Sequence, residues 1–134
     1  MERTVMIIKP DAVAKAATEE IIQRVRQEGF RVCQTKTLSL SPSEAEEFYA
    51  VHKGKPFFAN LVKFMSSGQI VAVLLEREDG VSYLRKIVGA TDPSEAAEGT
   101  IRRIYGTTKT QNAVHASDSV ANAKREMEFF FKGH

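Results

Sequence analysis

Thr4-Val5-Met6-Ile7-Ile8-Lys9-Pro10-Asp11 is a short apolar run stopped by a cation, a proline and an acid. Val5 to Ile8 shows no polar alternation, so both faces of the segment ask for burial. That pattern belongs to a central strand. The run is too short for a signal-sequence core or a membrane span, and Lys9-Pro10-Asp11 ends it. The chain is therefore expected to be soluble and cytoplasmic.

The elements that follow must cover that strand. Thr18, Ile21, Ile22 and Val25 form a helical stripe, with Gly29 as its stop. Phe30 to Leu40 reads as a longer strand nearer an edge. Ser41-Pro42-Ser43-Glu44 is a capping box with proline in the first helical position. It opens a short helix carrying Ala45, Phe48 and Tyr49. A second helix is expected after Pro56, with Leu61, Phe64 and Met65 inward and Gly68 at its end. Ile70 to Leu75 is another fully apolar strand. Asp79 is expected to cap a helix that turns Val81, Leu84 and Val88 inward and stops at Gly89. Asp92-Pro93-Ser94-Glu95 repeats the capping logic for one turn, and Gly99 to Tyr105 reads as a turn. Ala113 to His115 is a short strand, and the last helix covers about Val120 to Phe130. This order is close to a split βαβ pattern, with helices on one face of an antiparallel sheet. The stretch from Gly89 to Gln111 is long for so small a domain and points to function.

A chain of 134 residues with 43% hydrophobic content supports one domain with a core and is too short for two. A net charge of +2 argues against a general polyanion binder. The lone Cys33 excludes an intrachain disulfide, and His52, His115 and His134 are too scattered for a histidine metal cluster.

One of those histidines stands in Asn112-Ala113-Val114-His115-Ala116-Ser117-Asp118-Ser119, among small and polar residues and just before a helix. Imidazole is neutral and nucleophilic near pH 7. On the helix that follows, Ala123, Met127 and Phe130 share one face, and Glu126 falls on it too. A carboxylate in an apolar stripe is costly without a partner. His115 is the obvious candidate: an acceptor on one ring nitrogen fixes the tautomer and leaves the other free to react. By itself Glu126 keeps a second reading, a stripe-margin acid turned to solvent beside Lys124 or Arg125. Phosphate is the natural cargo of such a histidine, yet no Walker A loop and no G-x-G-x-x-G segment is present. Cations must then hold it, and Lys9, Arg85 and Arg102 are available, with Thr91 and Asn112 as neutral donors. Phe57 and Tyr49 have a plain packing role open to them. Asp118 reads as a helix cap, Arg103 as a solvated loop charge, and His52 and His134 as surface residues.

Lys9-Pro10-Asp11-Ala12-Val13, Lys55-Pro56-Phe57-Phe58, Gly89-Ala90-Thr91-Asp92-Pro93, Gly99-Thr100-Ile101-Arg102 and Asn112 to Ser119 resemble, in order, the blocks of nucleoside diphosphate kinases. The likeness extends from Arg3 to about Phe131. It implies a ferredoxin-like α+β domain over residues 1–134: a four-stranded antiparallel sheet with helices packed around it. It also implies ping-pong transfer of the γ-phosphate of a nucleoside triphosphate, typically ATP, to a nucleoside diphosphate. His115 would carry the phosphate on Nδ1, with Glu126 on the other nitrogen and Ser117 supporting Glu126. Lys9, Tyr49, Arg85, Thr91, Arg102 and Asn112 would surround the phosphates and ribose, and Phe57 would stack on the base. Mg²⁺ would be held by phosphates and water rather than by a protein cage. The resemblance implies a homo-oligomer, and the chain's brevity favours a tetramer over a hexamer. Ala116, Glu19, Gln69 and Arg103 depart from the usual residues of the family. Ala116 replaces a glycine and is expected to have an ordinary φ.

Two other classes compete. A nucleic-acid module on such a sheet displays aromatic residues on its central strands; Val5 to Ile8 and Ile70 to Leu75 contain none. A phosphocarrier charged by another protein needs no base platform, which leaves Phe57 and the cations unexplained. No specific nucleic acid and no membrane are expected as partners.

Overall fold

The chain pairs its apolar runs as expected and covers them from two sides. In the computed structural model, which describes residues 1–132, the elements are β1 (Glu2–Ile8), α1 (Pro10–Ala14), α2 (Thr18–Gln27), β2 (Arg31–Ser39), α3 (Pro42–Phe48), α4 (Phe58–Met65), β3 (Gln69–Arg77), α5 (Gly80–Val88), α6 (Ile101–Tyr105), β4 (Val114–Ala116) and α7 (Val120–Phe130). His134 lies outside the described residues.

The sheet order is β2-β3-β1-β4, every neighbouring pair antiparallel. Val5 sits opposite Leu74 and Ile7 opposite Ala72, so the two all-apolar strands are central. β2 is an edge, largely exposed, and its register slips between Val32 and Gln34. β1 and β2 run in the same direction with β3 inserted between them, which is the split βαβ unit of a ferredoxin-like α+β fold.

Side chains alternate across a strand. Met6, Ile8, Val71, Val73 and Leu75 pack with Ile21, Val25, Leu84 and Val88 of α2 and α5. Val5, Ile7, Ile70, Ala72 and Leu74 pack with Ala45 and Phe48 of α3, Leu61 and Met65 of α4, and Met127 and Phe130 of α7. The expectation of helices on one face is thus corrected. Strands without polar alternation need cover on both sides, and the helices divide between the two faces.

Local signals hold with instructive exceptions. Ser41 and Glu44 form the reciprocal capping box. Asp79 does not cap α5: its φ of +51° is left-handed, and its side chain makes no capping bond. Glu2 substitutes, its Oε1 accepting the Val81 N–H at 3.1 Å. Gly99 to Tyr105 is more than a turn, since Thr100 caps the short helix α6 through the Arg103 N–H. Arg103 is consequently helical, and it donates to the Ser94 carbonyl at 3.1 Å. α1 was not expected, and β4 begins one residue later than read. Phe64 is only half-buried, while Val62 takes the inward place.

Candidate active site

The last strand and last helix meet over one imidazole. β4 pairs with β1, placing Ile7 opposite His115. The chain then turns into α7, whose cap is Ser119, with its Oγ accepting the Asn122 N–H at 3.0 Å. Asp118, read above as the cap, instead accepts from the Asn122 side chain, and that bond is the main cause of its lowered pKa. Ala123, Glu126, Met127 and Phe130 all face inward.

Glu126 is 3% exposed, and a carboxylate that deep requires donors. Two are present on one oxygen: His115 Nε2 lies 3.0 Å from Oε1, and the Ser117 hydroxyl donates to Oε1 at 2.7 Å. The Arg125 guanidinium is 3.9 Å from the other oxygen. The solvent-facing reading of Glu126 is thereby excluded. Ser117 also continues the sheet, its N–H donating to the Val5 carbonyl and its Oγ accepting the Val5 N–H. With Nε2 on the carboxylate, Nδ1 has no hydrogen-bond partner among the described residues. His115 keeps about a fifth of its side chain exposed, so this nitrogen is open to a ligand. Ala116 has an ordinary φ, as expected, and β4 extends to include it, buried.

Ala113, two residues before His115, has φ +77°. The Val114 N–H donates to the Asn112 carbonyl at 3.0 Å, closing a γ-turn around Ala113. This conformation is rare and strained for a residue with a Cβ. The Ala113 N–H donates to Asp11 Oδ2 at 3.1 Å, and its carbonyl accepts the Lys9 main-chain N–H at 2.8 Å.

The cations gather on the same side. Lys9 Nζ donates to Asn112 Oδ1 at 2.8 Å and lies 3.4 Å from the Thr110 carbonyl. Burial, with Arg102 nearby, lowers its pKa from 10.5 to about 7, opposed by Asp11. Arg102, buried on α6, donates to the carbonyls of Gly89 and Val114, both at 3.0 Å. Burial and then Arg85 lower its pKa to about 10. Arg85, on the exposed side of α5, donates to the Ala116 carbonyl at 3.2 Å. Gly89 has φ +93°, and a Cβ there would meet Thr100 Oγ1 at 2.7 Å. Only glycine lets α5 end this close to the helix that carries Arg102.

Aromatic rings close the other side. Phe48 and Tyr49 stand edge-on to the imidazole at 5.4 and 6.0 Å. Burial, then the Glu126 charge, raises the Tyr49 pKa and keeps the phenol protonated. His52 is not the surface residue it was read as. It stacks on Tyr49 and lies 5.2 Å from Phe57, and burial followed by Lys55 and His115 lowers its pKa. Phe57 is 44% exposed at the rim. Thr91 enters through its carbonyl, which accepts from Asn112 Nδ2 at 3.0 Å, while its side chain stays exposed.

His115, Glu126, Ser117, Lys9, Asn112, Arg85, Arg102 and Tyr49 thus share one hydrogen-bonded and packed neighbourhood; Thr91 and Phe57 border it. Asp11, Ala113 and His52 were missed. A buried Tyr49 hydroxyl, the Arg102 Nε and the His52 Nδ1 have no hydrogen-bond partner among the described residues. Unpaired polar atoms at this density are what a polar ligand satisfies. The described residues contain no group of three His, Cys, Asp or Glu side chains able to hold a metal. A groove of about 380 Å³ elsewhere, between β2 and the end of α7, is lined by Lys36, Phe129 and Phe130 and has none of this chemistry.

Residues 2–134 match the family model described as nucleoside diphosphate kinase. A nucleoside diphosphate kinase of Chloroherpeton thalassium is 52% identical over 98% of the chain and 93% of its own length. One from Wolinella succinogenes is 53% identical over 99% and 97%. Among solved structures, the Aquifex aeolicus nucleoside diphosphate kinase superposes with a TM-score of 0.97 at 48% identity, covering 98% of this chain and 96% of that one. The apo enzyme of Encephalitozoon cuniculi gives 0.95 at 36% identity, covering 98% and 90%.

Proposed function

The chain belongs to the nucleoside diphosphate kinase family, and on that premise we propose that His115 is its phosphate carrier. The enzyme is a phosphotransferase that moves the γ-phosphate of a nucleoside triphosphate to a nucleoside diphosphate by way of a phosphohistidine. The observation that carries the assignment is the pairing of Nε2 with the buried Glu126, which leaves Nδ1 as the free nucleophile.

In the first half-reaction Nδ1 attacks the terminal phosphorus. The N–P bond forms as the bond to the bridging oxygen breaks, and the diphosphate leaves with that electron pair. A second diphosphate reverses the step. Charge on the phosphoryl oxygens is met by Lys9, Arg85 and Arg102, so catalysis is placement plus cationic stabilisation. Tyr49, Thr91 and Asn112 complete the phosphate and ribose contacts. Phe57 offers its face to the base, and because every base has a face, little discrimination among bases is expected. Mg²⁺ would come with the nucleotide, held by phosphate and water rather than by protein carboxylates. The donor set supports this, because Glu126 is already committed to His115 and Ser117.

We further infer that residues 1–134 act as one domain and that copies assemble, as a homotetramer, with six copies the competing outcome in light scattering. The free edge of β2 supports assembly, since an unpaired strand edge invites pairing. No helix of the described residues is long and apolar enough to cross a membrane, and the reading places the enzyme in the cytoplasm with its nucleotides. Both sheet faces are covered by helices, which leaves none for a single-stranded nucleic acid to stack on.

The test is labelling by γ-labelled ATP alone. Wild-type protein should acquire an acid-labile, base-stable phosphate that nucleoside diphosphate removes, and His115→Gln should acquire none. Full exchange activity in His115→Gln refutes the assignment.

A further inference from the structure

We propose that Asp11 is a positioning residue for the phosphoryl transfer, acting through the strained turn at Ala113. Three hydrogen bonds fix the main chain at and around Ala113 itself. Two are backbone only: Val114 N–H to the Asn112 carbonyl, and Lys9 N–H to the Ala113 carbonyl. The third is the Ala113 N–H to Asp11 Oδ2 at 3.1 Å, the one in which a side chain holds Ala113 itself. Ala113 is fully buried, and among the described residues its N–H has no partner other than this carboxylate. Left unpaired, it gains by rotating toward an ordinary negative φ.

That rotation propagates to the site. Asn112 holds Lys9 Nζ with its side chain and closes the turn with its carbonyl. Val114, on the far side of the turn, supplies the carbonyl that seats Arg102, and His115 follows it. One carboxylate therefore sets the relative placement of an ammonium, a guanidinium and the imidazole. Asp11 touches none of these charged groups through a hydrogen bond of its own. Its second oxygen, Oδ1, is buried without a hydrogen-bond partner among the described residues. Among the described residues the carboxylate's one hydrogen bond is therefore the one it accepts from the turn.

The experiment is a double-mutant cycle read on phosphohistidine formation in single-turnover labelling with γ-labelled ATP. Asp11→Ala should slow that step about 10- to 100-fold, the scale of a small misplacement of reacting groups. Asp11→Asn keeps an acceptor oxygen and should stay within about threefold of wild type, the scale of one neutral hydrogen bond. Ala113→Gly removes the Cβ strain, so adding Asp11→Ala in that background should cost markedly less than it does alone. Unfolding curves run in parallel separate this from lost stability, because the rescue should appear in the rate at matched folded fraction. If Asp11→Ala does not fold, Asp11→Ser replaces it: its hydroxyl stops short of the Ala113 N–H, and the same loss and rescue are expected. Wild-type rates in Asp11→Ala overturn the proposal, as does an equal loss with and without Ala113→Gly. The inference rests on His115 carrying phosphate; absence of label on wild-type histidine defeats that reading, whereas normal labelling of Asp11→Ala defeats this one alone.

Discussion

Replacing Lys9 by methionine should make the unliganded enzyme more stable in acid while removing its activity. Lys9 is 5% exposed and titrates near 7 instead of 10.5, chiefly through burial, with Arg102 adding to it. A shift of that size sets about 5 kcal/mol against the charged ammonium in the folded state. A lowered lysine pKa means that, between about pH 7 and 10.5, the unfolded chain binds a proton the folded chain does not. Stability then rises with pH across that window. At pH 6 the ammonium is charged in both states and the full penalty applies. At pH 9 the folded amine is neutral, and what remains is the cost of taking the proton from an unfolded lysine, about 2 kcal/mol. Methionine fills similar volume and carries no charge. The stability difference between Lys9→Met and wild type should therefore shrink by about 3 kcal/mol from pH 6 to pH 9. Lost hydrogen bonds to Asn112 and Thr110 offset both values nearly equally and cancel in the comparison. Urea unfolding of both proteins, without nucleotide, at several pH values measures it. Parallel stability curves, with a gap constant to within about 0.5 kcal/mol, would refute the reasoning.

Other outcomes follow from the same geometry. A phosphate beside Lys9 restores a counter-charge, so binding a nucleoside diphosphate at pH 8 should take up close to one proton. Calorimetry in buffers of different ionisation enthalpy should show this for wild type and lose it for Lys9→Met. Glu126→Ala strands the Ser117 hydroxyl and one imidazole N–H. It should cost about 2–4 kcal/mol by chemical unfolding and slow transfer about 10- to 100-fold as the ring loses its fixed tautomer; unchanged transfer counts against the role of Glu126. Phe57→Ala removes a rim platform that touches no phosphate group, so the nucleotide KM should rise several-fold with kcat nearly constant. Ser41→Ala removes the capping box of α3 and should cost about 1 kcal/mol with labelling kinetics unchanged.

How legible each feature was depended on whether its cause is local. The capping box at Ser41 and Glu44 depends on residues three apart, and it is present as read. The last helix follows from spacing, which put Glu126 on its apolar face but left a solvent-facing reading open, and the two central strands follow from their unbroken apolar runs. Asp79 carries a strong local preference that tertiary packing overrode: its left-handed φ brings Gly80 against the Glu2 carbonyl, and Glu2 caps α5 from across the sheet. α1 and α6, of five residues each, are too short to show a helical stripe. For the site, the charged residues stood out by type, but their arrangement did not. Lys9 and Asn112 are far apart in sequence and meet only because β4 pairs with β1. Ala113 gave no warning, because alanine is the last residue from which a positive φ is expected. His52 looked peripheral because Tyr49 and Phe57 come to either side of it only through the turn that follows α3.

Lys9 grips the turn that leads into the strand of the nucleophile twice, once with its main-chain N–H on Ala113 and once with its side chain on Asn112. Only the second grip depends on which residue stands there. Electrical character and contour are therefore inherited separately in this cleft. A descendant that loses the ammonium keeps its scaffold, and with it a mould for nucleotides that no longer turns them over.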